Sequence, residues 1–184
     1  MKYKKFIIKN FKGIKYLELD LDKKPTPNVF SLVGLNESGK TTILEALSWY
    51  YQPDDFEPHE IIPKSDKANF NDSISVDAEI SLSVDDENQI ARYMKVINKF
   101  IISKPIENII ISRSYKYENS ILVDTENIWD LEIMGKTRRM KENKILQGDN
   151  EHWKSAMKLI KSRIISPIIY YRNFLFDFID TWKK

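Results

Sequence analysis

The 184-residue sequence has no cysteine. That excludes a disulfide framework, thiolate-bound zinc, iron–sulfur clusters and thiol catalysis. Its two histidines, His59 and His152, stand far apart, which speaks against a histidine-rich metal centre. No apolar run approaches the roughly 18 residues that a membrane-spanning helix needs. No apolar stretch follows the first lysines, so no signal peptide is expected either. Net charge is nearly absent too, at +2, and by itself says little about partners.

What is present is unevenly placed. Lys2, Lys4, Lys5, Lys9, Lys12 and Lys15 open the chain with no acid among them. The stretch 51–90 holds eleven acids against Lys64 and Lys67. A second basic run contains Lys136, Arg138, Arg139, Lys141 and Lys144 against Glu142. Such runs can steer toward phosphates, and they equally suit solvated strand edges and loops.

Hydrophobic period sketches the elements. Phe6 to Ile8 and the alternating Tyr16, Leu17, Leu19 and Leu21 predict two strands around a turn at Gly13. Val29, Phe30, Leu32 and Val33 predict a compact buried strand ending at Gly34. From Lys40 the period becomes helical through Ile43, Leu44, Leu47 and Tyr50, until Pro53 stops it. The proline-punctuated segment 52–71 reads as a long surface loop. Ile74, Val76, Ala78, Ile80, Leu82 and Val84 alternate with polar residues, predicting a long antiparallel strand with one wet face. Asp85 or Asp86 is expected to cap a helix running to about Asn98. Residues 109–117 and 121–123 predict a hairpin around Glu118-Asn119, with a further strand at 128–133. A helix is expected over 148–162, and a β-like run over 168–171. No internal repeat or linker interrupts this order.

One motif carries chemistry. Of only five glycines in the chain, two bound Gly34-Leu35-Asn36-Glu37-Ser38-Gly39-Lys40-Thr41, which fits the P-loop pattern G-x-x-x-x-G-K-[ST]. Its setting, after an apolar strand and at a helix start, is the one that pattern requires. Gly34 and Gly39 permit backbone angles that let the N–H groups of Asn36, Glu37, Ser38 and their neighbours turn inward around phosphates. The helix dipole adds positive potential there. Lys40 is expected to reach the β- and γ-phosphates, Thr41 to ligate Mg²⁺, and Thr42 to donate to the α-phosphate. The cofactors expected are therefore ATP and Mg²⁺.

Two stretches together carry a resemblance. Phe6-Ile7-Ile8-Lys9-Asn10-Phe11-Lys12-Gly13-Ile14, followed by Val33-Gly34 through Thr41-Thr42-Ile43-Leu44-Glu45-Ala46-Leu47, resembles the amino-terminal lobe of ABC-type ATPases of the RecF/SMC group. Within that group it looks most like the AAA_15-type and OLD-like ATPases. Pro167-Ile168-Ile169-Tyr170-Tyr171-Arg172-Asn173-Phe174-Leu175-Phe176 is a weaker echo of the segment preceding the insert in such proteins. The resemblance implies an α/β fold with a mixed sheet: a P-loop NTPase amino-terminal lobe with an antiparallel β subdomain and a few helices. It implies ATP hydrolysed between two clasped heads, work on DNA in repair, chromosome organisation or anti-phage defence, and a cytoplasmic location. It also places Lys12 near the nucleotide.

Residues 1–184 are accordingly expected to form a single ATP-binding lobe, with 1–52 as the strand–loop–helix core and 53–184 completing it. Hydrolysis further needs an acid pair on a buried strand. Residues 121–126, 174–177 and 74–77 only mimic one, and 121–126 falls in the expected hairpin. No L-S-G-G signature occurs. Both elements belong to the carboxy-terminal lobe of the resembled family, so this chain reads as an amino-terminal piece that binds ATP without turning it over alone. Two other readings stay open: a protein- or DNA-docking module with a vestigial P-loop, and a complete small P-loop enzyme. No N-K-x-D follows the motif, which argues against a GTPase. Tyr170, Tyr171, Phe174, Phe176 and Phe178 suit either core packing or stacking on bases.

Overall fold

The computed structural model of the protein describes residues 1–22, 29–35, 39–106, 108–139, 143–146, 148 and 150–171. Within them, two antiparallel sheets and three helices form the body. The larger sheet has the order β2-β1-β3-β5-β6, built from β1 (Lys2–Phe11), β2 (Ile14–Asp20), β3 (Ser73–Ser81), β5 (Ile109–Glu118) and β6 (Ile121–Asp130). The smaller, β4-β7-β8, comprises β4 (Phe100–Ile102), β7 (Ile133–Thr137) and β8 (Lys144–Leu146). The helices are α1 (Lys40–Tyr51), α2 (Val84–Ile97) and α3 (Glu151–Leu159), the last running on into a π-helical turn over Ile160–Ile164.

Alternation sets the large sheet's inner face. Ile74, Val76, Ala78 and Ile80 of β3 are all fully buried. The register lays them beside Phe6 and Ile8 of β1 and Ile109 and Ile111 of β5. Side chains on successive strands thereby form continuous apolar rows, the unit of sheet stabilisation. Ser73, Ser75, Asp77 and Glu79 take the opposite, wetter face, as a period of two requires. Helix α1 covers the inner face with Trp49, whose ring meets Phe11 and Tyr115 at 5.7 and 5.0 Å between centroids. Helices α2 and α3 pack together, with α2 against β4. Ser83, rather than Asp85 or Asp86, caps α2: Asp86 N–H donates to Ser83 Oγ at 3.2 Å, and Ser83 N–H donates back to Asp86 Oδ2 at 2.8 Å. That reciprocal capping box satisfies two groups that would otherwise lack partners.

Several expectations change. The run Val29–Val33 forms no strand; residues 29–35 join no ladder, and Val29, Val33 and Leu35 are largely exposed. Strands exist by pairing, and every pairing among the described residues is antiparallel and made elsewhere in the sequence. The parallel component of a mixed sheet is thus not formed among them. The segment 52–71 is no mere surface loop: Phe56, Ile61, Ile62 and Phe70 are buried in the core, and Ile61 carbonyl accepts from Lys12 N–H at 2.8 Å. The hairpin's second strand is longer than expected, reaching Asp130, and a separate strand begins at Ile133. Residues 168–171 are not a strand. Phe174, Phe176 and Phe178 lie outside the described residues, as does the 174–177 mimic of an acid-bearing strand.

Gly135 shows how tightly the small sheet closes. A Cβ on it would run into the Ile101 carbonyl and the ring of Phe100, which is itself fully buried. The backbone carbonyl belongs to the neighbouring strand and cannot swing aside. Gly135→Ala is expected to lower unfolding free energy by about 1–3 kcal/mol, read as a lower midpoint in urea with unchanged slope.

Candidate functional site

The glycine-bounded motif lies where an irregular segment meets the start of α1. Gly39 occupies the position before the first helical residue with φ 86° and ψ 7°, a left-handed conformation that glycine adopts without cost. No side chain caps this helix start, and its first turn carries no acid. The leading amide groups of α1 therefore keep donors that nothing in the helix can satisfy, at the end where the dipole is positive. Ile43 N–H is the first that the helix itself satisfies, on Gly39 carbonyl at 3.0 Å.

Lys40 turns back over the segment that precedes it. Its Nζ donates to the carbonyls of Gly34 at 2.8 Å and Leu35 at 2.5 Å. One side chain thus ties the two glycine-flanked ends of the motif together and holds a cation beside the helix start. Thr41 is exposed and Thr42 half-buried in the same first turn. Asn36, Glu37 and Ser38 lie outside the described residues. Among the described residues the arrangement is a helix start without a side-chain cap, a cation and two hydroxyl-bearing residues, with no acid in the helix's first turn, which suits an anion with several oxygens.

Lys12 comes to α1 at a different level. Following Asn10 (φ 55°) in the left-handed region, Lys12 itself has φ 51°, and its Nζ donates to Glu45 Oε2 at 2.7 Å in a half-buried ion pair. The rings of Phe11 and Phe56 flank the ammonium, each with its centroid 5.9 Å away. Glu45 stands five residues after Lys40, about 7.5 Å along the helix axis. The structure therefore brings Lys12 to the second turn of α1 and not to its start. Glu45 went unnoticed in the sequence as a partner, although it sits within the same motif stretch.

Other sequence candidates fall elsewhere. Residues 121–126 lie on β6, where Ile121 and Val123 are exposed, so this is not a buried acid-bearing strand. Asp77 is on the wet face of β3. The basic run 136–144 spans β7 and β8, with Met140, Lys141 and Glu142 outside the described residues. His152 packs on Phe100, and no metal-holding cluster of His, Asp or Glu occurs among the described residues. Tyr171 is exposed. No helix among the described residues is long and apolar enough to cross a membrane.

A family model described as an AAA domain matches residues 5–177. No curated protein compared with the chain matches it. Among solved structures, one similar chain comes from structural work on ATP-driven dimerization and DNA-stimulated activation of SMC ATPases. It is 15% identical, with 91% of this chain and 82% of that chain covered, at a TM-score of 0.44.

The backbone at Gly39 is directly testable. A Cβ there would meet no atom within 4 Å, so any cost of Gly39→Ala arises from the left-handed backbone alone. The expected loss is about 1–2 kcal/mol, measured by chemical denaturation. Gly39→Asn, which tolerates that conformation better, should lose less.

Proposed function

This chain belongs to the AAA domain family and is an ATP-binding portion of an AAA-type ATPase, and from that premise we propose that Gly34–Thr41 is its phosphate-binding loop. The observation that carries the proposal is the uncapped start of α1 behind a left-handed Gly39, with the Lys40 ammonium folded over the loop. In the nucleotide-bound protein, Lys40 leaves the carbonyls of Gly34 and Leu35 for the β- and γ-phosphates, exchanging neutral acceptors for charged ones. The amides of Gly39, Lys40 and Thr41 then take phosphate oxygens, joined by those of Asn36, Glu37 and Ser38. Thr42 donates to the α-phosphate. The Thr41 hydroxyl, exposed in the first turn, is the residue that would hold Mg²⁺. That ion supplies charge neutralisation across the β- and γ-phosphates when bound. Lys12 acts at one remove: by holding Glu45 it keeps that acid engaged and away from the phosphates.

The finer reading is a single amino-terminal lobe over 1–184 of a RecF/SMC-type ATPase, with AAA_15-type and OLD-like proteins as its nearest kin. It would work in DNA metabolism or anti-phage defence in the cytoplasm. Hydrolysis would then require a carboxy-terminal lobe bearing the acid pair, and a second head closing on ATP. The exposed apolar run supports the need for a further lobe. Val29, Phe30, Leu32, Val33 and Leu35 have the composition of a buried strand, yet they sit exposed beside the loop without a ladder. Pairing that run with strands of another lobe would bury it and fix the loop at once.

Mg-ATP is expected to raise the thermal midpoint of the full chain, since a ligand at about 100 times its Kd stabilises by about 2.7 kcal/mol. Lys40→Ala should abolish that rise while leaving the ligand-free midpoint within about 0.5 kcal/mol of the parent. A rise retained in Lys40→Ala would overturn the assignment of the loop. Rapid ATP turnover by the 184-residue chain alone would instead overturn the requirement for a second lobe. Partner or DNA binding that is unchanged in Lys40→Ala, with no nucleotide response in the parent, would favour a docking module.

A further inference from the structure

At the far end of α1 from the loop, a second polar site opens on the inner face of the large sheet. One cross-strand row runs Ile8–Val76–Arg113–Asn127 from β1 to β6, and the next runs Phe6–Ala78–Ile111–Trp129. Arg113 therefore stands at a position where alternation along β5 calls for an apolar residue, between buried Ile111 and half-buried Tyr115. Its Nε–H donates to Tyr50 carbonyl at 2.7 Å. A guanidinium has five N–H donors, and this bond, which closes the carboxy-terminal end of α1, uses one of them. Burial draws Arg113 below the ordinary arginine value, with Tyr115, Tyr50 and Asp54 acting in the opposite sense. It is a desolvated cation with donors to spare.

Arg113 lines a cavity of about 130 Å³ together with Tyr50, Tyr51, Asn127, Trp129 and Lys161. No acid lines it. The Lys161 ammonium lies 4.7 Å from the centroid of the Trp129 ring, on the π-helical turn that follows α3. Trp129 Nε1 is buried and has no acceptor. Such a turn costs hydrogen-bond geometry and is frequent at functional sites; here it places Lys161 over the cavity. Two cations border a space that holds a molecule of roughly benzene size. That is too small for a nucleoside triphosphate and roomy enough for one tetrahedral oxyanion.

We propose that this cavity is a phosphate-group site separate from the nucleotide loop, with Arg113 and Lys161 as its charge partners. The site does not depend on the function assigned to Gly34–Thr41. The negative end of α1 absorbs part of the Arg113 charge, so Lys161 supplies the second cation that an oxyanion requires. A free phosphate ion and the phosphate end of a small monoester share this chemistry.

The test is a titration of the full chain with inorganic phosphate, followed by calorimetry and by the fluorescence of Trp129, assigned through Trp129→Phe. Saturable binding is expected, unchanged in Lys40→Ala and weakened about tenfold in Lys161→Ala, as the loss of one charged hydrogen bond implies. Lys161 is exposed, and its contact with the Trp129 ring is a surface one, so that variant should fold; Arg113→Gln, which also frees Tyr50 carbonyl, serves as the second variant. AMP binding more tightly than phosphate would assign the site to a monoester, and the reverse order to the free ion. Absence of saturable binding, or binding lost in Lys40→Ala and kept in Lys161→Ala, would overturn the proposal.

Discussion

The seating of Trp49 is the constraint on which the rest of the structure depends. This fully buried side chain fills the space between Phe11 of β1 and Tyr115 of β5, and so spans the middle of the large sheet. Ala46, Ser48 and Tyr50 are buried beside it, whereas Thr41 and Leu44 are exposed. Helix α1 is thereby held by its carboxy-terminal half and presents its amino-terminal half outward. A loop on the exposed end of an anchored helix keeps its position while its own contacts remain exchangeable. That is the mechanical condition for a binding loop on a rigid scaffold.

The run before the loop obeys a different physics. Helix α1 can form from local hydrogen bonds and then dock, but a strand exists only with neighbours. Residues 29–35 carry the right side chains and find no neighbour, so their backbone stays irregular and Val33 is 92% exposed. By contrast β1, whose composition is no more apolar, forms fully because β2 and β3 bracket it. Strand propensity is largely a statement about surroundings, and these two segments of one chain show both outcomes.

Legibility in the sequence follows the same division. β3 could be read residue by residue, because strict alternation has a single structural solution when one face is buried. Helix α1 was readable from its period and from Pro53. The segment 52–71 was not, since Phe56, Ile61, Ile62 and Phe70 join the core without any period. Short 3₁₀ turns at Pro53–Asp55 and Pro58–Glu60 carry the chain between them. The cap of α2 was misplaced by two or three residues because Ser83, Asp85 and Asp86 all suit the role locally. Only the reciprocal bonds of Ser83 and Asp86 distinguish them. Arg113 was invisible for the opposite reason: in a strand of alternating side chains, an arginine on the apolar face looks like noise until its partner carbonyl is known.

The two ends of α1 make the strongest physical case about function. At the carboxy-terminal end the helix is closed: Gln52 N–H reaches Ser48 carbonyl at 2.8 Å, and Arg113 donates to Tyr50 carbonyl at 2.7 Å. A half-buried guanidinium thus satisfies a carbonyl that the helix itself leaves without a donor. At the amino-terminal end the same helix has no side-chain cap and no acid in its first turn. Helix α2, fully capped by Ser83 and Asp86, and α3, capped by Asn150 through His152 and Trp153 N–H, show that this chain caps helices where it can. A serine or aspartate at position 39 would have been the ordinary stabilising choice, and glycine in a left-handed conformation forgoes it. A helix start without a side-chain cap, on a helix anchored elsewhere, is the feature on which the proposed phosphate-binding loop rests.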